Sequence, residues 1–283
     1  MLYPGESSFY SPSVSHQICT RSVRFSAKVF RLLICLVPLV LFVPGYSYAQ
    51  SAMTLDELAG VMESARQTWQ GVKDYTCLFY RQEWVNGHLR EKETIRVKFR
   101  KTPLSLYMKW IADPHQGRET LFVTGMNYDR IKVHQGGIMG SINLNLNPLG
   151  HMARSSCRHT VYEAGIGHTI GLLIDGLQLA KVRNDVTFMD LGKKSYEGVT
   201  AHCYRAVFPE SATKPDSTYC MVKGKYYAAD TTVCIDDRSH LPVVVENRNA
   251  SGQLIEYYVN RNLKLNAGLN DMDFSPDNPE YRF

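Results

Sequence analysis

The sequence has 283 residues and a formal net charge of +5. This length is enough for one large domain with a substantial core. The net charge falls to +2 once the first 49 residues are set aside. A nearly neutral chain lacks the concentrated basic face that nucleic-acid binding requires, so that class of partner is excluded.

The first 49 residues have the order of a secretory signal peptide. Four basic residues between positions 21 and 31 precede an apolar run at 32–43, and Ser47-Tyr48-Ala49 then fits a small-residue cleavage site. We expect cleavage after Ala49 and export to the periplasm or beyond it. The remaining 50–283 are predicted to form one domain. The alternative is an uncleaved membrane anchor, although the run is shorter than the roughly 20 residues of a spanning helix.

Five cysteines remain after cleavage, at Cys77, Cys157, Cys203, Cys220 and Cys234. An oxidising compartment favours disulfides, and the odd number leaves at least one thiol without a partner in the chain. We expect one bridge among the last three, whose pairing the spacing does not fix. No pair has the C-x-x-C spacing of zinc or redox motifs.

A helix is predicted at the start of the mature chain. Thr54 and Glu57 form a capping box, and Gly71 ends the helix. The apolar residues between them recur at helical spacing and make one stripe that has to pack on another element. These residues are Leu55, Leu58, Val61, Met62, Ala65 and Trp69.

From residue 75 the hydrophobic period changes to two, which indicates strands. Residues 75–85 lead to Asn86-Gly87, a strong signal for a two-residue hairpin turn. Apolar and polar residues alternate along 94–100 and 104–110, so we expect one buried face and one solvent-exposed face. Ser105, Tyr107 and Lys109 are predicted on the exposed face. Residues 119–123 and 128–134 form a further predicted hairpin.

An insertion-like flap and helix are predicted at about 136–183. Residues 136–160 break the alternation, and such a stretch is either a functional flap or a loose cover. Apolar residues then recur at helical spacing and indicate a second helix that ends near Lys181 and Arg183. They are Ile166, Ile170, Leu173, Ile174, Leu177 and Ala180.

The last third of the chain is again predicted as strands, at 186–191, 199–208, 226–236, 241–247 and 254–265. The tail after Asn266 is expected to lie irregularly on the surface. Consecutive strands with short turns indicate an antiparallel meander. We therefore predict an α+β, mainly β fold, in which a curved half-barrel of about ten strands wraps around two helices.

No catalytic motif is present. The sequence lacks G-x-S-x-G, a phosphate-binding G-x-x-x-x-G-K and G-x-G-x-x-G. His151, His159 and His168 are eight and nine residues apart, unlike the i, i+4 spacing of helical zinc sites, so loop and capping roles are favoured over a metal site. We predict no enzyme, no cofactor and no metal.

Two further pairs are weak candidates for chemistry. Asp236-Asp237 could act as a general acid and base, but neighbouring acids of this kind usually form turns. His202 and Cys203 could be a base and a nucleophile, but adjacent strand residues point to opposite faces.

Six apolar residues could line a lipid-binding cavity between the sheet and the second helix. The alternative is that they form ordinary core. They are Leu106, Met108, Trp110, Ile170, Leu173 and Leu177.

Several passages together resemble the lipoprotein-carrier superfamily, whose best-known members are the LolA and RseB proteins of the bacterial envelope. More narrowly, they resemble a related family of secreted bacterial proteins of unknown function. The passages span most of residues 54–275, and their order is more specific than any one of them. They are 95–100 with 104–110, 113–117 leading into 119–123, 234–236 with 241–243, 252–254, 263–266 and 269–274.

The resemblance implies a half-barrel fold and a non-enzymatic periplasmic protein that binds or carries a lipid or a lipoprotein acyl chain. It also allows transient contact with a membrane surface. The segment 136–183 has no counterpart in LolA, and the carrier's functional arginine maps onto no residue here, so no transfer residue is carried over. The alternative is an envelope module that binds a protein partner, for which Tyr226-Tyr227 and Tyr257-Tyr258 are candidate exposed aromatics.

Overall fold

A computed structural model describes residues 51–137, 142–216 and 221–283. The predicted signal peptide and Cys220 lie outside these ranges. The strands and helices follow in chain order. They are β1 (Ser51–Met53), α1 (Leu55–Gln70), β2 (Asp74–Val85), β3 (His88–Leu89), β4 (Glu93–Arg100), β5 (Ser105–Trp110), β6 (Glu119–Val123), β7 (Ile131–His134), β8 (Asn143–Leu146), α2 (His151–Arg154), α3 (Ile166–Arg183), β9 (Thr187–Tyr196), β10 (Val199–Val207), β11 (Asp230–Ile235), β12 (Pro242–Arg248) and β13 (Leu254–Leu265).

All named strands of the described chain belong to one antiparallel sheet. Its order is β1-β9-β10-β11-β12-β13-β2-β4-β5-β6-β7-β8, with β3 paired to β2. Two meanders therefore meet where β13 pairs with β2, which joins the C-terminal and N-terminal halves of the chain. This confirms the predicted α+β, mainly β fold. The sheet has more strands than expected, because β1 and β8 at its edges and the two-residue β3 are too short to carry much sequence signal.

Local signals account for α1 and for the first hairpin. The Thr54 backbone N–H donates to the Glu57 carboxylate at 2.7 Å, and the Glu57 N–H donates to Thr54 Oγ1 at 3.2 Å, which is the predicted capping box. Asn86 and Gly87 have φ angles of 52° and 80°. These positive values are what a tight two-residue turn between twisted strands demands.

Helix α3 packs beside α1 at a glycine. A Cβ atom at Gly167 would lie 2.3 Å from Nε1 of Trp69, so only glycine lets the two helices approach so closely here. Asn184, with a φ of 51°, ends α3 in the left-handed conformation. The predicted span of this helix is confirmed.

The described part of the predicted flap is more ordered than the sequence indicates. β8 pairs with β7 and so extends the sheet, and the short helix α2 follows it. Within the described residues, no helix combines the length and apolar character that a membrane span needs.

The C-terminal tail covers part of the outer face of the sheet. The ring of Tyr281 stacks on that of Tyr107 with centroids 3.8 Å apart, and Phe274 packs in the same cluster. Tyr107 is only 2% exposed and Ser105 is fully buried. The prediction that these two residues face water is therefore wrong: the tail, which is distant in sequence, covers Tyr107, and the Ser105 hydroxyl is hydrogen-bonded to Arg100 and Pro103.

One disulfide joins Cys203 of β10 to Cys234 of β11, which are directly opposed in the register. It lies within the group of three cysteines in which a bridge was expected. Cys77 and Cys157 are free thiols.

Candidate functional site

A cavity of about 690 Å³ lies between the inner face of the sheet, the two long helices and the flap. Side chains of β2, β5, β6, β7, β8, β11 and β13 all reach it, so strands far apart in the sheet curve around one space. Most of the lining is aliphatic or aromatic. The cavity is therefore a place where an apolar molecule would be removed from water.

Five of the six residues predicted for an apolar cavity line this space. Leu106, Met108 and Trp110 line it from β5, and Leu173 and Leu177 line it from α3. The sixth, Ile170, is 3% exposed and belongs to the core cluster between α3 and the sheet. It is one of the ordinary core residues that helical periodicity cannot distinguish from cavity lining. Ligand binding by the other five stays a prediction.

One end of the cavity is charged. Glu83 of β2 and Glu256 of β13 are directly paired across the sheet, and both are buried. Arg158 reaches them from the flap and is itself 3% exposed. Its backbone N–H donates to Glu83 Oε2 at 3.2 Å, and its Nε lies 3.6 Å from Glu256 Oε2. This guanidinium offsets part of the negative charge of the two carboxylates.

Tyrosine, histidine and asparagine side chains complete the contacts of Glu256. Its Oε2 accepts a 2.7 Å hydrogen bond from the Tyr227 hydroxyl and lies 3.1 Å from Nε2 of His159. Its Oε1 accepts a 2.6 Å hydrogen bond from the Asn247 amide. The Tyr258 hydroxyl donates its proton to Glu83, and its oxygen lies 3.3 Å from Glu256 Oε2. A buried carboxylate with this many donors is held in its ionised form.

The pKa values at this end follow from burial and charge. Burial raises the pKa of Glu256, but the neighbouring His159 and Arg158 outweigh it and lower that pKa to about 2. Burial lowers the pKa of His159, but the Glu256 carboxylate outweighs it and raises that pKa above the usual value. For His168, burial and the nearby His159 both lower the pKa.

Trp110 lies beside two arginines on the cavity wall. The guanidinium carbons of Arg81 and Arg118 are 5.9 Å and 5.7 Å from the centroid of its ring. Arg81 also pairs with Glu93, whereas the described residues include no ion pair for Arg118. The indole Nε1 of Trp110 is buried and has no hydrogen-bond partner among the described residues. Trp110 therefore places a buried polar N–H beside two guanidinium groups on the cavity wall.

The sequence reasoning missed this charged end, although a signal for it exists. Tyr75, Cys77, Phe79, Arg81 and Glu83 alternate along β2, and all five line the cavity. The first three are apolar and the last two are charged. The inward face of this strand thus changes from apolar to charged along its length. Comparing the residue types at every second position of this segment would have shown the change.

The weak catalytic candidates have structural roles. Asp236 accepts hydrogen bonds from the N–H and hydroxyl of Ser239 at 2.9 Å and 2.8 Å, which stabilises the turn before β12. His202 lies 2.6 Å from Asp190. Cys203 is in the disulfide and has no thiol to activate.

Of the three clustered histidines, the structure brings two together. The rings of His159 and His168 have centroids 5.7 Å apart on the cavity wall. His151 begins α2 and is exposed.

The fold and the cavity define an α+β protein whose open antiparallel sheet, with its helices, encloses an apolar space with a charged end. The chain belongs to the family described as "Protein of unknown function (DUF1571)", whose model matches residues 72–283. This confirms the resemblance to a family of unknown function. Among curated protein sequences, none matches the chain.

Several solved structures are similar in fold at low sequence identity. The lipoprotein LppX of Mycobacterium tuberculosis is 17% identical, with a TM-score of 0.44, covering 76% of this chain and 98% of that chain. MucB of Pseudomonas aeruginosa, solved in complex with MucA, is 16% identical, with a TM-score of 0.41, covering 78% and 60%. A LolA superfamily protein of Nitrosomonas europaea is 10% identical, with a TM-score of 0.34, covering 77% and 97%.

Proposed function

We propose that this protein is a non-enzymatic periplasmic binding or carrier protein that holds a lipid, or the acyl chain of a lipoprotein, in the cavity. The observation that supports the proposal most directly is the cavity itself, whose volume is about 690 Å³. That volume falls within the range of roughly 300–1,000 Å³ typical of small-molecule sites. A predominantly apolar lining with a few polar groups at one end matches the two parts of an amphiphile.

The energetics favour an acyl chain as the occupant. Each buried methylene contributes about 0.8 kcal/mol, so a ten-carbon tail contributes about 8 kcal/mol before the costs of association and ordering. Leu173 and Leu177 of α3 and Met108 of β5 lie on the lining that such a tail would contact. The charged end, formed by Glu83, Glu256 and Arg158, would lie near the polar head of the molecule.

The direct test is to isolate the mature protein from a bacterial envelope and identify extracted lipids by mass spectrometry. A fluorescent fatty acid is then titrated against the delipidated protein. We expect a copurifying amphiphile near one equivalent and saturable binding of the probe. A core that yields no lipid and admits no probe would overturn the proposal.

A matched pair of variants on α3 places the binding in the cavity. Leu177→Trp fills part of the cavity, whereas Val182→Trp adds the same ring on the solvent side, where Val182 is 84% exposed. We expect Leu177→Trp to weaken probe binding at least about tenfold, the equivalent of about 1.4 kcal/mol, and Val182→Trp to leave it unchanged. Equal effects of the two variants would contradict binding inside the cavity.

The tyrosines suggested as an exposed surface for a protein partner are not exposed. Tyr226 is 1% exposed and belongs to the core, and its hydroxyl donates to Asp185 at 2.7 Å. Tyr227 and Tyr258 line the cavity, and Tyr257 is half-buried. The prediction of exposed aromatics at these positions is wrong. Capture of an envelope protein by delipidated protein that binds no probe would nevertheless favour this alternative.

A further inference from the structure

Three side chains on the cavity wall form a cluster that the proposed function does not use. We propose that His159, Glu163 and His168 bind a divalent transition-metal ion, with zinc as the best match. One ligand atom from each residue lies within 4.8 Å of the other two. All three residues line the cavity and are half-buried. The site does not depend on acyl-chain binding.

His159 is oriented as metal-binding histidines are. Its Nε2 lies 3.1 Å from the Glu256 carboxylate, and this contact leaves Nδ1 as the second nitrogen. Nδ1 is buried and has no hydrogen-bond partner among the described residues. Histidine ligands commonly donate one ring N–H to a carboxylate while the other nitrogen binds the metal. A metal ion would give the buried Nδ1 the partner that the protein does not provide.

Glu163 and His168 are held by neighbouring elements. The N–H and hydroxyl of Thr160 both donate to Glu163 Oε2, at 2.7 Å and 3.0 Å, which fixes the carboxylate and leaves Oε1 as a second oxygen. His168 lies in the first turn of α3. His159 and Glu163 precede α3 and His168 lies within it, so a metal ion would tie the segment before the helix to the helix.

The donor set and the local charge suit a cation. Imidazole nitrogen and carboxylate oxygen are both common zinc ligands, and two histidines with one carboxylate form a known kind of zinc site. Zinc bonds of about 2.0–2.1 Å require the three atoms to move closer together than their present spacing of up to 4.8 Å. Glu83, Glu163 and Glu256 surround the position with negative charge, while Arg158 supplies the opposing positive charge.

Three protein ligands leave a fourth coordination position for water or a bound molecule. Because the ligands line the cavity, that position belongs to the cavity wall. The histidine spacing did not indicate a metal site, because the set compared included His151, which lies outside the cluster. The third ligand is instead Glu163, four residues after His159.

The test uses mature protein stripped with a chelator and titrated with zinc chloride by calorimetry, with cobalt(II) absorption as a second readout. We expect one equivalent of zinc to bind with a dissociation constant at or below the micromolar range, and cobalt to give the intense visible bands of a four- or five-coordinate site. His168→Ala and Glu163→Gln should each weaken zinc binding at least about tenfold.

His151→Ala is the matched control, since His151 is an exposed histidine outside the cluster. It should bind zinc as the wild type does. Circular dichroism shows whether each variant is folded, and Glu163→Gln keeps the shape of the side chain if His168→Ala fails to fold. Absence of zinc binding by the wild type, or unchanged binding by both cluster variants, would overturn the proposal. The acyl probe is measured separately, so either proposal can fail without the other.

Discussion

Glu83 and Glu256 face each other across β2 and β13, with 4% and 2% of their surfaces exposed. Like charges opposed on one face of a sheet are destabilising, and burial makes the cost larger. Arg158 offsets this cost from the flap, because its N–H donates to one carboxylate and its guanidinium lies beside the other. The flap near Arg158 is therefore held to the sheet by charge.

Replacing Arg158 by methionine should destabilise the protein strongly. Arg158→Met keeps most of the side-chain volume but leaves two buried carboxylates without their guanidinium. We expect the free energy of unfolding to fall by about 3–5 kcal/mol, measured by urea denaturation. The control is Arg248→Met, because Arg248 pairs with Glu246 at the surface and is 40% exposed; such pairs contribute about 0–1 kcal/mol. Similar losses in both variants would show that Arg158 has no special electrostatic role.

A second substitution should recover part of that loss. In the Arg158→Met background, Glu83→Gln removes one of the opposed charges while retaining an oxygen that can accept the backbone N–H of residue 158. The double variant should be more stable than the sum of the two single losses implies, with a coupling of about 1–3 kcal/mol. Urea denaturation of all four proteins of the cycle measures it. Additive losses would mean that Glu83 and Arg158 do not interact energetically.

The elements predicted correctly are those with local causes. The Thr54–Glu57 box, the Asn86-Gly87 turn and the apolar stripe of α3 each lie within one short stretch of sequence. Their hydrogen bonds and dihedral angles are decided there, before any tertiary contact forms. Local information therefore predicted both long helices, most strands and the antiparallel sheet.

The features that were missed depend on tertiary contacts. Tyr107 is buried by Tyr281, 174 positions further along the chain, and Ile170 differs from Leu173 only in what packs against it. His159 and Glu256 meet through the pairing of β13 with β2 and the return of the flap. Periodicity shows which face a residue occupies but not what covers that face, so five cavity residues were selected and the charged end was missed.

Two glycines of α3 should respond in opposite ways to alanine. At Gly167 the added Cβ would lie 2.3 Å from Trp69 Nε1, and that indole is packed against the rings of Tyr75 and Phe99. We expect Gly167→Ala to cost about 1–3 kcal/mol. At Gly171 no atom lies within 4 Å of the added Cβ. There the helix propensity of alanine should raise stability by about 0.5–1 kcal/mol.

Thermal and urea denaturation of the two variants give the comparison. Trp69 fluorescence adds a second readout at Gly167, because the indole has to move to accommodate a methyl group. Stabilisation by both substitutions would show that the two helices are less closely packed than the structure indicates.

The Cys77 thiol should be nearly unreactive in the folded protein. Burial raises its pKa from 9.0 to about 12, and its Sγ donates to Asn260 Oδ1 at 3.4 Å. The thiolate is the reactive form, so at pH 8 the folded chain should contain about 1,000-fold less Cys77 thiolate than the unfolded chain. The rate of iodoacetamide labelling at Cys77, followed by peptide mass spectrometry, should fall by at least that factor, and urea should restore it.

Cys157 is the internal comparison for this measurement. Burial raises its pKa only to about 11, and its side chain is half-buried in the flap. Its labelling in the folded protein should therefore be slow but faster than that of Cys77. As long as the pH stays below the pKa of each thiol, both rates should rise about tenfold for each unit by which the pH is raised. Cys77→Ser confirms the peptide assignment. If Cys77 reacts in the folded protein at the rate found in urea, the cavity opens to water far more often than a flap held by Arg158 allows.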